Sequence, residues 1–309
     1  MEWITNFLAA AVVAGTPLLF ATLGEIITER AGNLNLGVEG MMLMGAVVGF
    51  IAGFNTGNAV IALLAAMLAG ALGAFIYAFA TVTLKANQNV TGLTLTIFGT
   101  GFSSFLGKSV VGQVTPDRIK VFFKPIEIPF LSNIPILGKA LFSQDVFIYI
   151  GYICTILLTV YLYKTSKGLS LTAVGENPLA AAAASINVVL YKYFHILLGG
   201  SLCGLGGAYL SLVYVPTWQE NITAGRGWIA VALVVFVAWN PSKAIIGAFL
   251  FGGLDILRFR ITDSFISIYF MDMIPYIVTI VILVFVNMKK STKNSPPKSL
   301  GVPYFREER

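Results

Sequence analysis

Charged and amide side chains are concentrated in one short stretch near the start of an otherwise apolar chain. Residues 25–40 read Glu-Ile-Ile-Thr-Glu-Arg-Ala-Gly-Asn-Leu-Asn-Leu-Gly-Val-Glu-Gly. Amides and carboxylates can hydrogen-bond a polar solute, but this mixture of glycines, amides and charges cannot form a regular helix facing lipid. We expect a break that faces the interior of a helical bundle, with Asn33, Asn35 and Glu39 as candidate solute contacts. A plain turn is the alternative.

Two further polar elements interrupt apolar sequence. Asn87 and Asn89 lie at the start of an apolar run, where they either cap a helix or offer hydrogen bonds to a solute. Arg226 opens another apolar run, and we expect it at the outer membrane boundary. There it either snorkels to the surface or pairs with an acid such as Glu220.

A fourth polar segment, residues 172–187, carries a strong helix-start signal. Asn177 can cap a helix that begins at Pro178, and five alanines follow within the next few residues. The pattern predicts a helix of about nine residues, roughly 13 Å long, too short to cross a bilayer. Lys164, Lys167 and Lys192 flank it, which indicates the cytoplasmic side. An ordinary loop between helices is the alternative.

The overall composition is that of a polytopic membrane protein. Apolar residues make up 57% of the 309 residues and charged residues 11%, with a mean hydropathy of +0.84; a soluble domain carries about 25% charged residues. No linker divides residues 1–288, which we expect to form one membrane domain. Residues 289–309 are expected to be a short, basic, disordered cytoplasmic tail. The net charge of +6 is spread over loops and ends, so nucleic-acid binding is not indicated.

We expect an all-α transmembrane bundle of about nine spans. Because the count is odd and the end of the chain is rich in lysine, the N-terminus is expected outside and the C-terminus in the cytoplasm. Residues 112–143 then form an outer loop, since their prolines disfavour a spanning helix. The expected spans are 6–26, 38–54, 59–84, 90–111, 145–163, 192–214, 226–240, 243–261 and 271–288.

Residues that could perform catalysis or bind metal are scattered. His195 is the single histidine, and Cys154 and Cys203 lie apart inside apolar runs. Asp255 and Arg258 are spaced as a helix-internal ion pair. We therefore expect no catalytic residue and no metal site.

The run from Gly101 to Ser109 is similar to a phosphate-binding loop, but five residues separate its glycines where the motif requires four. An apolar helix rather than a strand precedes it. The chain itself is not expected to bind ATP.

Three polar segments together resemble the permease subunits of ATP-binding-cassette importers, in the family that serves branched-chain amino acids, ribose-type sugars and nucleosides. Residues 25–42 match E-x-x-x-E-R-A-G-x-x-N-L-G-x-E-G-x-M, and 223–241 match G-R-G-[FW]-I-A-[LV]-A…W-N-P. Residues 172–187 match R-A-V-G-E-N-P-x-A-A-x-x-x-G-I-N, except that Thr172 replaces Arg and Ser185 replaces Gly. The nearest likeness is to guanosine and purine nucleoside permeases of Gram-positive bacteria.

This resemblance implies residue roles. In the family the segment around Asn177 docks on a cytoplasmic ATPase subunit, so the implied coupling residues are Gly175, Glu176, Asn177, Pro178, Ala181 and Ala182. The candidates for the translocation path are Asn33, Asn35, Glu39, Asn87, Asn89 and Arg226.

The resemblance also implies a function and partners. It implies a nucleoside importer in the plasma membrane, fed by an extracellular binding lipoprotein and paired with a second, related permease. ATP and Mg²⁺ would be bound by the ATPase, and this chain would carry no cofactor. A sugar permease of the same family is one alternative. An ion-coupled secondary transporter is another, disfavoured because the spans outside 25–40 carry few charges.

Overall fold

The computed structural model describes residues 2–260, seven positions between 273 and 284, and residues 295–305. Helices dominate this part of the chain, with one two-stranded hairpin, Ile126–Glu127 paired with Ser143–Gln144. The α-helices are α1 (Glu2–Arg30), α2 (Val38–Thr56), α3 (Ala59–Ala78), α4 (Gln88–Gly107), α5 (Asp117–Phe122), α6 (Leu137–Phe142), α7 (Val146–Lys164), α8 (Ser166–Glu176), α9 (Pro178–Ala183), α10 (Val188–Tyr209), α11 (Arg226–Phe236) and α12 (Pro241–Arg260).

Six helices of the described part are long and apolar enough to cross a membrane. Two of them continue beyond α3 and α10 as π-helical turns, Phe79–Thr83 and Leu210–Tyr214. A chain with this many apolar helices is a multi-pass membrane protein, as the composition predicted. The six are Glu2–Arg30, Val38–Thr56, Ala59–Thr83, Gln88–Val110, Val146–Lys164 and Val188–Tyr214.

The last three expected spans have three different outcomes in the structure. The span expected at 226–240 is wrong, because α11 has only 11 residues and is about 16 Å long. The span expected at 243–261 corresponds to α12, a 20-residue helix that is not among the six. The span expected at 271–288 lies largely outside the described residues. The count of nine therefore stays a prediction.

Small residues allow the central helices to pack backbone against backbone. A Cβ atom added to Gly45 of α2 would lie 2.3 Å from the Cα of Gly204 in α10, and one added to Gly24 of α1 would lie 2.4 Å from the carbonyl oxygen of Gly199. Such close crossings between small residues are typical of helices in lipid.

The proline-rich region 108–145 lies at the end of the bundle where α4 ends and α7 begins. It folds into α5, the hairpin and α6 rather than into a single spanning helix. Gly112 donates its backbone N–H to the carbonyl of Trp218 at 3.0 Å, and Trp218 donates to Gln113 at 3.1 Å. Trp218 itself is buried against Phe50 of α2. These backbone pairs attach the region to the segment that follows α10.

Residues 295–305, expected to be part of a disordered tail, pack against the bundle instead. The backbone N–H of Ser299 donates to the carbonyl of Gly175 at 3.0 Å, and Tyr304 is 8% exposed. A segment with a buried aromatic ring and paired backbone groups is ordered by these contacts, which the basic, proline-containing composition did not reveal. Residues 289–294 and 306–309 lie outside the described part.

Candidate functional site

The break expected between the first two spans is an elbow, residues 31–37, buried inside the bundle. Buried backbone groups need hydrogen-bond partners. Three of those in the elbow, which no helix or strand pairs, are bonded by side chains from three different helices. Leu34 N–H donates to Gln88 Oε1 at 2.7 Å, Asn35 N–H donates to Glu25 Oε1 at 3.0 Å, and Tyr77 donates its hydroxyl to the carbonyl of Leu34 at 2.6 Å.

The two asparagines of the elbow are both 1% exposed but differ in their bonding. Asn35 Oδ1 accepts the N–H of Gly37 at 2.9 Å, so this side chain closes its own turn. Asn33 Oδ1 and Gln88 Nε2 are buried without a hydrogen-bond partner among the described residues. Glu25 Oε2 is likewise buried without a partner, so the elbow combines a fixed backbone with three polar atoms that have no hydrogen-bond partner among the described residues.

Glu39, in the first turn of α2, holds a second irregular segment. Its Oε1 accepts from the Thr223 hydroxyl at 2.5 Å and from Gly225 N–H at 2.8 Å, and its Oε2 accepts from Gly227 N–H at 2.6 Å. Gly225 and Gly227 flank the start of α11, where unpaired N–H groups and the helix dipole favour a carboxylate. Glu39 thus anchors the N-terminus of a half-length helix.

This anchored turn lies deep in the bundle. Gly40, next to Glu39, packs so closely on Gly99 that an added Cβ on Gly99 would be 2.4 Å from the Gly40 Cα. Gly99 is near the middle of α4, which spans Gln88–Gly107. The chain therefore runs from Trp218, at the end of the bundle, inward to Glu39 before α11 begins.

Arg226 lies in this interior turn, so its expected position at the outer membrane boundary is wrong. Its Nη2 is 2.9 Å from Asp255 Oδ2, and its guanidinium carbon lies 5.5 Å from the centre of the Tyr214 ring. The suggested partner Glu220 is exposed. Asp255 pairs with Arg226. The pair with Arg258 expected within α12 stays a prediction, because the side chain of Arg258 lies outside the described part.

The other end of α11 is fastened to the end of α1. Arg30 donates from Nε and Nη2 to the carbonyl of Trp239 at 3.3 and 3.1 Å. The indole N–H of Trp239 donates to the Glu29 carboxylate. The two sides of the elbow, Arg30 and Glu39, therefore hold the two ends of α11, and we name this arrangement the α11 bracket.

The three consecutive amides at the start of α4 lie in different environments. Asn87 is exposed and caps α4, accepting the N–H of Val90 at 3.1 Å, and Asn89 is exposed as well. Gln88, the middle amide, was not among the candidates for the translocation path, yet it is the buried amide on the elbow. A sequence signal existed: if Asn87 caps the helix, Gln88 shares a face with Gly92 one turn later, and Gly92 packs against Leu36.

The segment expected to be a nine-residue docking helix consists of two helices. Asn177 ends α8 and caps α9, accepting the N–H of Ala180 at 3.0 Å. The helix beginning at Pro178 was predicted, but α9 has six residues, about 9 Å. It ends because Ser185 takes a left-handed conformation with φ of 62°. Glycine adopts that conformation most easily, which is where the family pattern has Gly.

The α8–α9 segment presents one face to the bundle and one to its surroundings. Ala181 is 3% exposed, whereas Ala180 and Ala183 are exposed and Glu176 and Ala182 are partly so. Gly175 packs directly on the end of α1, since an added Cβ would lie 2.2 Å from the carbonyl oxygen of Arg30. The segment therefore contacts the same residue that fastens α11.

Within the described residues, no three His, Cys, Asp or Glu side chains come together as a metal site would require. The elbow offers amides and carboxylates, some bonded to backbone groups and some without a partner among the described residues, an arrangement suited to hydrogen bonding. The coupling residues and the elbow are brought together through Gly175 and Arg30, while Asn87 and Asn89 lie apart from both.

Comparison with known proteins agrees with this architecture. The family described as "Branched-chain amino acid transport system / permease component" matches residues 7–283. A protein of Haloferax volcanii, provisionally named as glucose ABC transporter permease protein TsgC13, is 36% identical over 99% of both chains. Guanosine ABC transporter permease protein NupQ of Bacillus subtilis is 33% identical, covering 100% of this chain and 99% of its own length.

A further relative is nucleoside ABC transporter permease protein NupC of Lactococcus lactis, 33% identical over 97% of this chain and 96% of its own. Such permeases are transport components that work with an ATPase subunit, not enzymes. The chain belongs to the permease-component family of branched-chain amino acid transport systems and is the membrane-spanning subunit of an ABC transporter.

Proposed function

We propose that this chain forms the translocation path for a nucleoside of the guanosine or purine type, in an importer driven by a separate ATPase. The observation that carries the proposal is the broken backbone deep in the bundle, where the turn 223–227 meets Glu39. Irregular backbone at membrane depth is tolerated where it is buried in protein or lines a cavity, and discontinuous helices often mark substrate sites in transporters.

The polar groups near this break suit an uncharged solute. Asn33 Oδ1 is an acceptor and Gln88 Nε2 a donor, and both are buried without partners among the described residues. Arg226 is already paired with Asp255, and the Glu39 carboxylate already accepts three hydrogen bonds. A nucleoside supplies both donors and acceptors without a net charge.

A glucose-type sugar is the second candidate, favoured by the Haloferax relative. It presents the same hydrogen-bonding chemistry, and the names of the relatives NupQ, a guanosine permease, and NupC, a nucleoside permease, favour the nucleoside. Family membership gives no support to the ion-coupled alternative. The discriminating experiment is uptake of labelled guanosine and of labelled glucose by cells that express the complete importer. Guanosine uptake that requires the ATPase is expected; glucose uptake alone would select the sugar, and uptake without the ATPase would overturn both.

The proposed arrangement has the ATPase on α9 in the cytoplasm, an extracellular binding lipoprotein on the opposite face, and a second, related permease beside this one. The N-terminus is then outside and the C-terminal segment inside. Cysteines introduced for Ser132 and Ala184, in a background without Cys154 and Cys203, test this orientation. An impermeant thiol reagent added outside should label Ser132→Cys and spare Ala184→Cys, and the reverse pattern would invert the orientation.

Docking on α9 can be tested separately. Ala180 is exposed on α9, so Ala180→Trp adds bulk to the face that would meet the ATPase, and overpacking costs about 1–3 kcal/mol. We expect normal insertion with loss of ATPase co-purification and of uptake. Ile97→Trp, on an exposed face of α4 (75% exposed), is the matched control and should retain both. Retention of both by Ala180→Trp would remove α9 as the docking helix.

A further inference from the structure

The 295–305 segment completes the end of α8. The carbonyl of Gly175, in the last turn of α8, accepts both the N–H of Ser299 at 3.0 Å and its hydroxyl at 2.6 Å. Carbonyls in the last turn of a helix have no partner within the helix, so an external donor stabilises them. The segment supplies two such donors and thereby joins α8.

Tyr304 then packs behind α9. Its ring is 8% exposed and forms a small hydrophobic cluster with Val174, Ala181 and Val188. Ala181 is on the buried face of α9, so the tyrosine supports the helix from the side opposite its exposed face. The Nζ of Lys85 lies 5.8 Å from the centre of the Tyr304 ring, within cation–π range, and burial lowers the pKa of the Lys85 amine.

A cavity of about 270 Å³ lies between Tyr304 and the junction of α9 with α10. Its wall includes Ala182 of α9, so a protein seated on α9 also covers the cavity. The lining carries no charged side chain, which disfavours an acidic or basic occupant, since a buried charge requires a partner. The remaining walls are Ser185, Ile186, Asn187, Val188 and Val189.

We propose that α9 and the 295–305 segment form one composite docking surface for the ATPase subunit, and that the cavity beside Tyr304 receives an uncharged side chain of that subunit. The proposal rests on the proposed function, because it extends the docking site from α9 alone to a second part of the chain. Without Tyr304, α9 loses its support and the cavity loses one wall.

The first experiment compares Tyr304→Ala with Val302→Ala in the full chain, expressed with the ATPase. Val302 is 55% exposed in the same segment and lies outside the cavity lining, so it is the matched control. We expect Tyr304→Ala to reduce ATPase co-purification at least tenfold and to speed hydrogen exchange in residues 174–183. Val302→Ala should change neither. Unchanged co-purification and exchange in Tyr304→Ala would overturn the proposal.

A second experiment covers the case in which Tyr304→Ala fails to insert. A photo-reactive benzoylphenylalanine replaces Val189, which is 41% exposed and lines the cavity. Irradiation of the assembled importer should give an adduct with the ATPase subunit. Adducts confined to this chain would overturn the proposal, since they would show that its own residues occupy the cavity.

The two hypotheses fail differently. If Ala180→Trp abolishes ATPase binding while Tyr304→Ala and the cross-link show no involvement of the segment, α9 docks the ATPase alone. If Ala180→Trp retains ATPase binding, the proposed function of α9 fails first, and the composite surface fails with it.

Discussion

Two irregular regions of the described part of the molecule, the elbow and region 108–145, are held by different kinds of hydrogen bond. In the elbow, side chains of distant helices hydrogen-bond the backbone. Gln88 accepts the N–H of Leu34, and Tyr77 donates to the carbonyl of Leu34. In region 108–145, nearby or facing backbone groups pair with each other, as between Gly112 and Trp218. Water can replace a backbone pair at the periphery but not inside a bilayer.

Substitutions in the two regions should therefore differ in their effect on stability. An interior turn specified by long-range side chains depends on each of them, because a lost partner leaves a buried group unsatisfied. A peripheral turn has solvent and alternative pairings available. The peripheral region also leaves large apolar side chains exposed, with Phe130 at 88%, whereas the elbow is almost fully buried. Matched substitutions in the two environments should separate these effects.

The largest effect is expected for Gly175→Ala. The new Cβ would meet the Arg30 carbonyl at 2.2 Å, and a backbone atom cannot rotate away, so α8 must separate from the elbow. We expect a cost of about 3 kcal/mol and at least a tenfold loss of uptake. Gly101→Ala in α4 is the control, because nothing lies within 4 Å of its added Cβ. Equal uptake by the two variants would show that transport does not depend on the contact between Gly175 and Arg30.

The next effect is expected for Glu39→Gln. The amide nitrogen cannot accept the hydrogen bond that a carboxylate oxygen accepts from Gly225 or Gly227, and bonds to charged groups contribute about 1.5–3 kcal/mol each. Thermal unfolding in detergent should show a loss of about 2 kcal/mol, together with reduced uptake. Glu127→Gln in the exposed hairpin should show neither change. Wild-type stability and uptake in Glu39→Gln would mean that the α11 bracket does not depend on the carboxylate.

A smaller effect is expected at Asn35, where the structure changes the expectation from sequence. Leucine suits lipid, so sequence alone predicts that Asn35→Leu folds normally and transports poorly. The structure adds a stability loss of about 1–2 kcal/mol, because the Gly37 N–H loses its acceptor. Asn35→Ser keeps an acceptor for that N–H without adding a charge and should unfold closer to the wild type, and Asn133→Leu in the exposed peripheral loop should have little effect. Wild-type stability in Asn35→Leu would contradict the assigned turn.

The sequence predicted what depends on local pattern and missed what depends on distant partners. Runs of about 20 apolar residues located the long helices, and Asn177 with Pro178 located the start of α9, because caps act over a few residues. Sequence assigned Arg226 to the outer boundary and did not pair it with Asp255, since neither residue reveals from its neighbours that α11 begins inside the bundle. The same reason hid Tyr304, whose partners on α8 to α10 are more than a hundred residues away.

The smallest effect concerns the residue that ends α9, where two adjacent positions should respond in opposite directions. Ser185 has a φ of 62°, a left-handed conformation that costs a non-glycine residue about 1–2 kcal/mol. Glycine removes that strain but gains entropy in the unfolded chain, at a cost of about 0.5–1 kcal/mol. Ser185→Gly should therefore stabilise the protein by about 0.5–1 kcal/mol. Ala184 has an ordinary φ of −83°, so Ala184→Gly brings only the entropic cost and should destabilise by a similar amount. Thermal unfolding of the two variants in detergent measures both changes. Shifts of the same sign would show that the turn after α9 is not held in the left-handed conformation.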